Sequence, residues 1–147
     1  MSGNRAPLLL LAVFSLSAVA GAVPNEAIGS ARHTAECVAA LKANTEDLAL
    51  QVKAGHEDLR STLLARLEQG AACLGNAYLE GNRDEAQARA LLATAVDAQK
   101  TLSANALAAR QGACSQEGGQ LLAQASGFSR AVVSQVARRR MSKLLEP

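Results

Sequence analysis

Aromatic side chains are almost missing from this chain. Trp does not occur, and Phe14, Tyr78 and Phe128 are the whole aromatic complement of 147 residues. A sheet-rich core is thereby excluded, because strands draw on aromatic and β-branched residues, and the latter are also scarce here. A single-stranded nucleic-acid surface loses the rings on which bases stack. Catalytic and cofactor signatures are absent as well. There is no Cys-x-x-Cys redox or haem-attachment pattern and no Gly-x-Ser-x-Gly nucleophile turn. The longest apolar run, Leu8 to Ala20, falls short of the roughly 20 residues that a membrane-crossing helix needs.

That run has another use. Arg5 supplies a basic start, the apolar stretch follows, and Ala18-Val19-Ala20 and Ala20-Gly21-Ala22 offer small residues at cleavage spacing. The pattern predicts a secretory signal peptide over residues 1–22, cut after Ala22 rather than kept as an anchor, and a single domain over 23–147. No cysteine follows the cut, so acylation of the kind found on lipoproteins is not expected. The expected destination is export, to a periplasm or to the outside.

Most of the apolar content is Ala and Leu, which lead the helix-propensity ranking. The mature chain is therefore expected to be all-α. Gly55, Gly81-Asn82 and the Gly112–Gly119 cluster divide it into segments 26–54, 56–80, 83–111 and 119–146. Similar lengths with Gly at each joint predict an up-and-down antiparallel four-helix bundle. Helical spacing supports the segments, with Leu59, Leu63, Leu67 and Leu74 in the second and Leu121, Ala125, Phe128, Val132 and Val136 in the fourth. One alternative stands beside this reading. The stripe Leu48, Val52, Gly55, Leu59, Leu63 crosses Gly55 in phase, and Asn44-Thr45-Glu46-Asp47 has the form of a helix start. A short first helix followed by one long helix from about residue 45 to 80 would satisfy both.

Within the second segment, Leu74, Gly75, Tyr78 and Gly81 fall at the spacing L-G-x-x-Y-x-x-G. The pattern resembles the opening of a Sel1-type helical repeat. It is confined to residues 71–81, lacks the Gly-Val that usually follows, and has no second copy at the repeat period. One unit of an array cannot bury a core, so no protein-binding role is carried over.

An exported chain meets an oxidising compartment in which neighbouring thiols pair. Cys37 and Cys73 lie at equal sequence distances from Gly55, so a reversal there would set them level on antiparallel helices. A continuous helix would hold them roughly 54 Å apart. A Cys37–Cys73 disulfide is expected, with Cys114 at the opposite end, free or bridging two molecules in a homodimer. His33 and Cys37 share a helix face beside Glu36, but two ligands without a second cluster do not make a metal site, and no metal or cofactor is expected. The acidic pairs Glu46-Asp47, Glu57-Asp58 and Asp84-Glu85 are read as complements to helix dipoles.

The 15 basic and 13 acidic residues nearly balance, yet the last segment does not. From Arg130 onward, Arg130, Arg138, Arg139, Arg140 and Lys143 stand against Glu146 alone. Beside Val132, Val133, Val136 and Met141 they make an amphipathic basic helix suited to an acidic protein partner or an anionic envelope surface. The expected function is that of an exported, non-enzymatic helical protein that works by contact, as an assembly component, a chaperone-like holder or an accessory factor. The alternative is a small exported metal-binding, redox or hydrolytic protein whose site is assembled from His33, Cys37, His56 and Cys114. No nucleic-acid partner is expected.

Overall fold

A computed structural model describes the backbone from Val23 onward and side chains from Ser30 onward. The expected signal peptide lies outside the described residues. Those described form five helices and no strand: α1 (Val23–Lys53), α2 (Arg60–Leu79) after a single 3-10 turn at Glu57–Leu59, α3 (Glu85–Gln99), α4 (Ala104–Gln124) and α5 (Gly127–Leu145). The all-α expectation holds, but the joints are only partly where the glycines suggested.

Two joints are glycine joints. Gly55 and Gly81 have φ of 106° and 99°, the left-handed region that favours a residue without Cβ. Each closes its helix with the same pair of bonds. Gly55 N–H donates to Val52 and His56 N–H to Gln51; Gly81 N–H donates to Tyr78 and Asn82 N–H to Ala77. This is the Schellman closure, which satisfies carbonyls left over at a helix end. The other two joints are serine joints. Ser103 Oγ accepts from Ala106 N–H at the start of α4, and Ser126 Oγ accepts from Ser129 N–H at the start of α5. Asp84 caps α3 in the same way, as N-terminal side-chain acceptors commonly do.

The four-segment division therefore needs correcting. Residues 83–111 split at Thr101–Ser103, and Gly112, Gly118 and Gly119 lie within α4 instead of ending a helix. Gly118 has a packing reason to be there. A Cβ on it would stand 2.6 Å from the Gln69 carbonyl oxygen and 2.7 Å from Gln69 Cβ. Its bareness is what allows α4 to lie directly on the backbone of α2. Around the contact, Arg66 donates to Ser115 Oγ and to Gln69 Oε1, while Ser115 Oγ donates to Gln69 Oε1. The long-helix alternative is also set aside. The chain runs unbroken through Asn44–Asp47 in α1, and the Thr45 hydroxyl, buried, donates back to the Lys42 carbonyl at 2.9 Å instead of capping a new helix. No proline occurs between residues 25 and 146, so nothing interrupts so long a helix from within.

Cross-helix pairs give the directions. Ser30 meets Glu80 and Gly70 faces Leu41, so α1 and α2 are antiparallel. Ala35 packs with Ala95 while Gln99 donates to the Ala39 carbonyl, so α3 follows α1. Gln111 donates to the Ala40 carbonyl and His33 meets Glu117, so α4 opposes α1. Ser134 donates to Glu68, and Leu144 and Leu145 reach the cluster of Val52 and Leu63, so α5 opposes α2. The five helices thus alternate up and down about α1, which touches all the others.

The core is thin for a chain of this length. Among the described residues Ala35, Ala39, Ala40, Ala49, Ala72, Ala77, Ala95 and Ala137 make up more than half of the buried apolar positions, and Leu41 and Leu63 are the large aliphatic side chains that are fully enclosed. Each such Leu contributes about 1.5–3 kcal/mol and each Ala much less. Close approach replaces bulk, which makes the Gly118 contact sensitive to a single methyl. Gly118→Ala is expected to cost about 1–3 kcal/mol in urea unfolding, because the clash is with backbone. Gly112→Ala, on the same helix in open space, is expected to gain about 0.5–1 kcal/mol. Equal effects at the two positions would remove the close-approach explanation.

Candidate functional site

The chemistry of the chain collects at one level of the α1–α4 contact. His33 and Cys37 are one turn apart on α1, and Cys114 and Glu117 are one turn apart on α4. Because the two helices are antiparallel, both pairs meet. Cys37 and Cys114 are joined in a disulfide across 5.2 Å between Cα atoms, a usual spacing for such a bond. In front of it, His33 Nε2 lies 2.7 Å from Glu117 Oε2 and 3.8 Å from Cys37 Sγ. The sulfurs are buried, Cys37 at 1% exposure and Cys114 at 4%, whereas the His33 and Glu117 side chains are 57% and 43% exposed. The layer therefore has an open polar face and a closed sulfur floor.

This corrects the expected pairing. Cys37 bonds to Cys114, not to Cys73, and Cys114 is neither free nor available to bridge two molecules. The reversal at Gly55 is real, and the hairpin register with Leu41 facing Gly70 brings Cys73 close to the level of Cys37. What failed was the placement of Cys114. Reading the Gly112–Gly119 cluster as a joint put that cysteine at the end of the molecule, when it lies in the middle of α4. No local pattern predicted Glu117 either; the C-x-x-E spacing of Cys114 and Glu117 is its one sequence trace. His56 is exposed at the α1–α2 turn, about 28 Å along α1 from Cys37. It takes no part.

Cys73 is the free thiol, buried at 3% exposure. Burial, with the negative charge of Glu117 adding to it, pushes its thiol up to about 11. The thiolate is the nucleophile in disulfide exchange, so burial and the raised thiol both disfavour attack by Cys73 on a disulfide.

A second region carries the basic residues. Arg130, Arg138, Arg139, Arg140 and Lys143 are all exposed on α5, and among the described residues none forms an ion pair, although five other pairs occur. Phe128, Val132, Val136, Arg139 and Lys143 follow one another at steps of four, four, three and four, which is one helix face. Its first half is apolar, with Phe128 80% and Val136 52% exposed; its second half is cationic. Beside it α2, α4 and α5 enclose a groove of about 560 Å³ lined by Ala72, Leu79, Leu121, Phe128, Val132 and Val133. Leu79 at its rim is 76% exposed. The Sel1-like residues lie at the end of α2 and serve local purposes. Gly81 closes the helix, and exposed Tyr78 is covered by the Arg83 guanidinium 4.8 Å from its ring centre. No helix among the described residues is long and apolar enough to cross a membrane.

Neither a family model, nor a curated protein, nor a solved structure matches the chain.

The state of Cys73 can be measured. Native protein is expected to react with a thiol reagent far more slowly than unfolded protein, which should yield one thiol per chain. Because the folded thiol is raised from its ordinary 9.0 to about 11, the folded state holds a proton that the unfolded chain has lost in that window. The stability owed to this is complete below about pH 9 and disappears as pH rises to about 11. Cys73→Ala should show a shallower alkaline loss of stability than the wild type. Parallel curves would mean that Cys73 is not buried as described.

Proposed function

We propose that the chain is an exported, non-enzymatic protein that works by contact, accepting in the α2–α4–α5 groove a helical segment of a partner protein that is apolar along one stripe and acidic at one end. The observation that carries this reading is the continuous face from Phe128 through Val136 to Arg139 and Lys143. Apolar surface of this size left in water is costly, and exposed patches of it on a soluble domain mark interaction sites. The cations that continue the face pair with no carboxylate among the described residues, so a partner with an acidic end would supply the complementary charge. Concavity favours a protein segment over a bilayer. A groove takes the apolar stripe of one helix, whereas a flat lipid surface would reach Phe128 and the arginines but not Leu121 below them. Assembly, holding and accessory roles all reduce to this one contact.

A synthetic amphipathic helical peptide with a Leu stripe and a Glu-rich terminus serves as the probe, with vesicles of phosphatidylglycerol in phosphatidylcholine alongside. Phe128→Ser combined with Val132→Ser should weaken peptide binding by tenfold or more, an effect of at least about 1.4 kcal/mol. Changing Arg138, Arg139 and Arg140 together to Gln should weaken it roughly tenfold at low salt and flatten its salt dependence, since exposed charge pairs contribute up to about 1 kcal/mol each and are screened beyond about 8 Å at physiological ionic strength. Circular dichroism should show both variants folded. Binding to vesicles with none to the peptide would replace the groove reading by one of an anionic envelope surface.

A further inference from the structure

The layer at the α1–α4 contact holds more ligand chemistry than a structural disulfide requires. His33 and Cys37 form an H-x-x-x-C pair on one helix, and Cys114 and Glu117 a C-x-x-E pair on its antiparallel neighbour. A donor atom from each of His33, Cys37 and Glu117 lies within 4.8 Å of the other two. Cys114 Sγ is the fourth, bonded to Cys37 Sγ. We propose that these four side chains form a redox-gated site for a thiophilic divalent cation of the Zn²⁺ class: closed while Cys37 and Cys114 are joined, and a tetrahedral S₂NO site once they are reduced.

The geometry is close to what such an ion needs. With metal–sulfur bonds near 2.3 Å and metal–nitrogen or –oxygen bonds near 2.0–2.1 Å, tetrahedral ligands stand about 3.5 Å apart for sulfur to nitrogen or oxygen, and about 3.8 Å for sulfur to sulfur. Cys37 Sγ is already 3.8 Å from His33 Nε2 and 4.0 Å from Glu117 Oε2. His33 and Glu117, at 2.7 Å, have to part by about 0.6–0.7 Å to reach a tetrahedral separation, which their exposed side chains permit. The sulfurs separate when the bond between them is cleaved. Two thiolates, an imidazole and a carboxylate suit Zn²⁺ better than Mg²⁺ or Ca²⁺, which take oxygen ligands. Entry is from the His33–Glu117 face, where the layer is open to solvent.

The chemistry balances with an external dithiol as reductant. It gives two electrons and two protons to the Cys37–Cys114 bond and becomes a disulfide itself, leaving two cysteine thiols. Binding of the cation then releases both thiol protons to solvent and forms two metal–sulfur bonds. Cys73, buried on α2, is not among the four donors. In consequence α1 and α4 are tied together in either redox state, by a sulfur–sulfur bond or through the ion. This inference is independent of the groove and of its partner.

The test uses the full chain carrying Cys73→Ala, so that two thiols remain. Reduced with a phosphine and kept free of oxygen, it is titrated with Co²⁺, and folding is followed by circular dichroism throughout. The expected result is one ion per chain, the charge-transfer absorption of thiolate-bound Co²⁺ with the visible bands of a tetrahedral site, displacement by Zn²⁺, and release of two protons. The oxidised protein should show none of this. His33→Ala and Glu117→Gln should each weaken the reduced protein's affinity at least tenfold. A reduced chain that gives no thiolate–cobalt absorption overturns the proposal, as does absorption with equal affinity in both variants, which would mean that the sulfurs act alone. A reduced chain that is unfolded and does not regain helix on adding Co²⁺ or Zn²⁺ overturns it too, because metal binding and folding at a built site are coupled.

Discussion

With Ala in place of large side chains at most buried positions, helices of this chain have little apolar area with which to hold one another, and the covalent link between Cys37 and Cys114 is the strongest single constraint on how they lie. It joins residues 77 apart in sequence, and closing so long a loop restricts the unfolded chain by an amount on the order of 4 kcal/mol in the chain-entropy account. That is about the contribution of two fully buried leucines, and Leu41 and Leu63 are the two this core encloses. Small domains are typically stable by about 5–15 kcal/mol. Around the link, Gly118 lets α4 settle onto α2, and Gln99 and Gln111 donate to carbonyls of α1. These contacts depend on helix axes being close, which small side chains allow and the disulfide maintains.

Tying α4 to α1 in this way leaves α5 as the helix with a face to spare. One side of it completes the cluster at the α1–α2 turn through Met141, Leu144 and Leu145. The other side keeps Phe128, Val132 and Val136 in water and ends in cations that form no ion pair among the described residues. The chemical layer and the contact face are therefore separate features. The first sits where α1 and α4 are crosslinked; the second sits where α5 and the end of α2 leave a groove uncovered.

Helical class, the turn at Gly55, the stop at Gly81 and the basic composition of the last helix were all legible in the sequence, because each is a local property. Propensity and side-chain periodicity act within a turn or two, and a left-handed C-terminal glycine acts within a few residues. The joints at Ser103 and Ser126 were missed because a lone serine is a weak mark against a conspicuous run of glycines. In α4 those glycines answer a tertiary demand, the approach to Gln69, which no local rule anticipates. The disulfide was misassigned for the same reason: one misplaced joint moved Cys114 from mid-helix to the end of the molecule, and Cys73, at the right level, became the apparent partner. The assembly of His33 and Glu117 was invisible because residues 84 apart meet there.

The α1–α4 layer exists only if Cys37 and Cys114 are the cysteines joined, and tryptic mapping of the unreduced protein answers that directly. Cleavage at Lys and Arg places Cys37 in peptide 33–42, Cys73 in 67–83 and Cys114 in 111–130, so each pairing gives a distinct mass. Covalently linked peptides 33–42 and 111–130, with 67–83 recovered carrying one alkylatable thiol, are the predicted result. Linkage of 33–42 to 67–83 would contradict the account, since it would detach α4 from α1 and disperse the layer built on their contact.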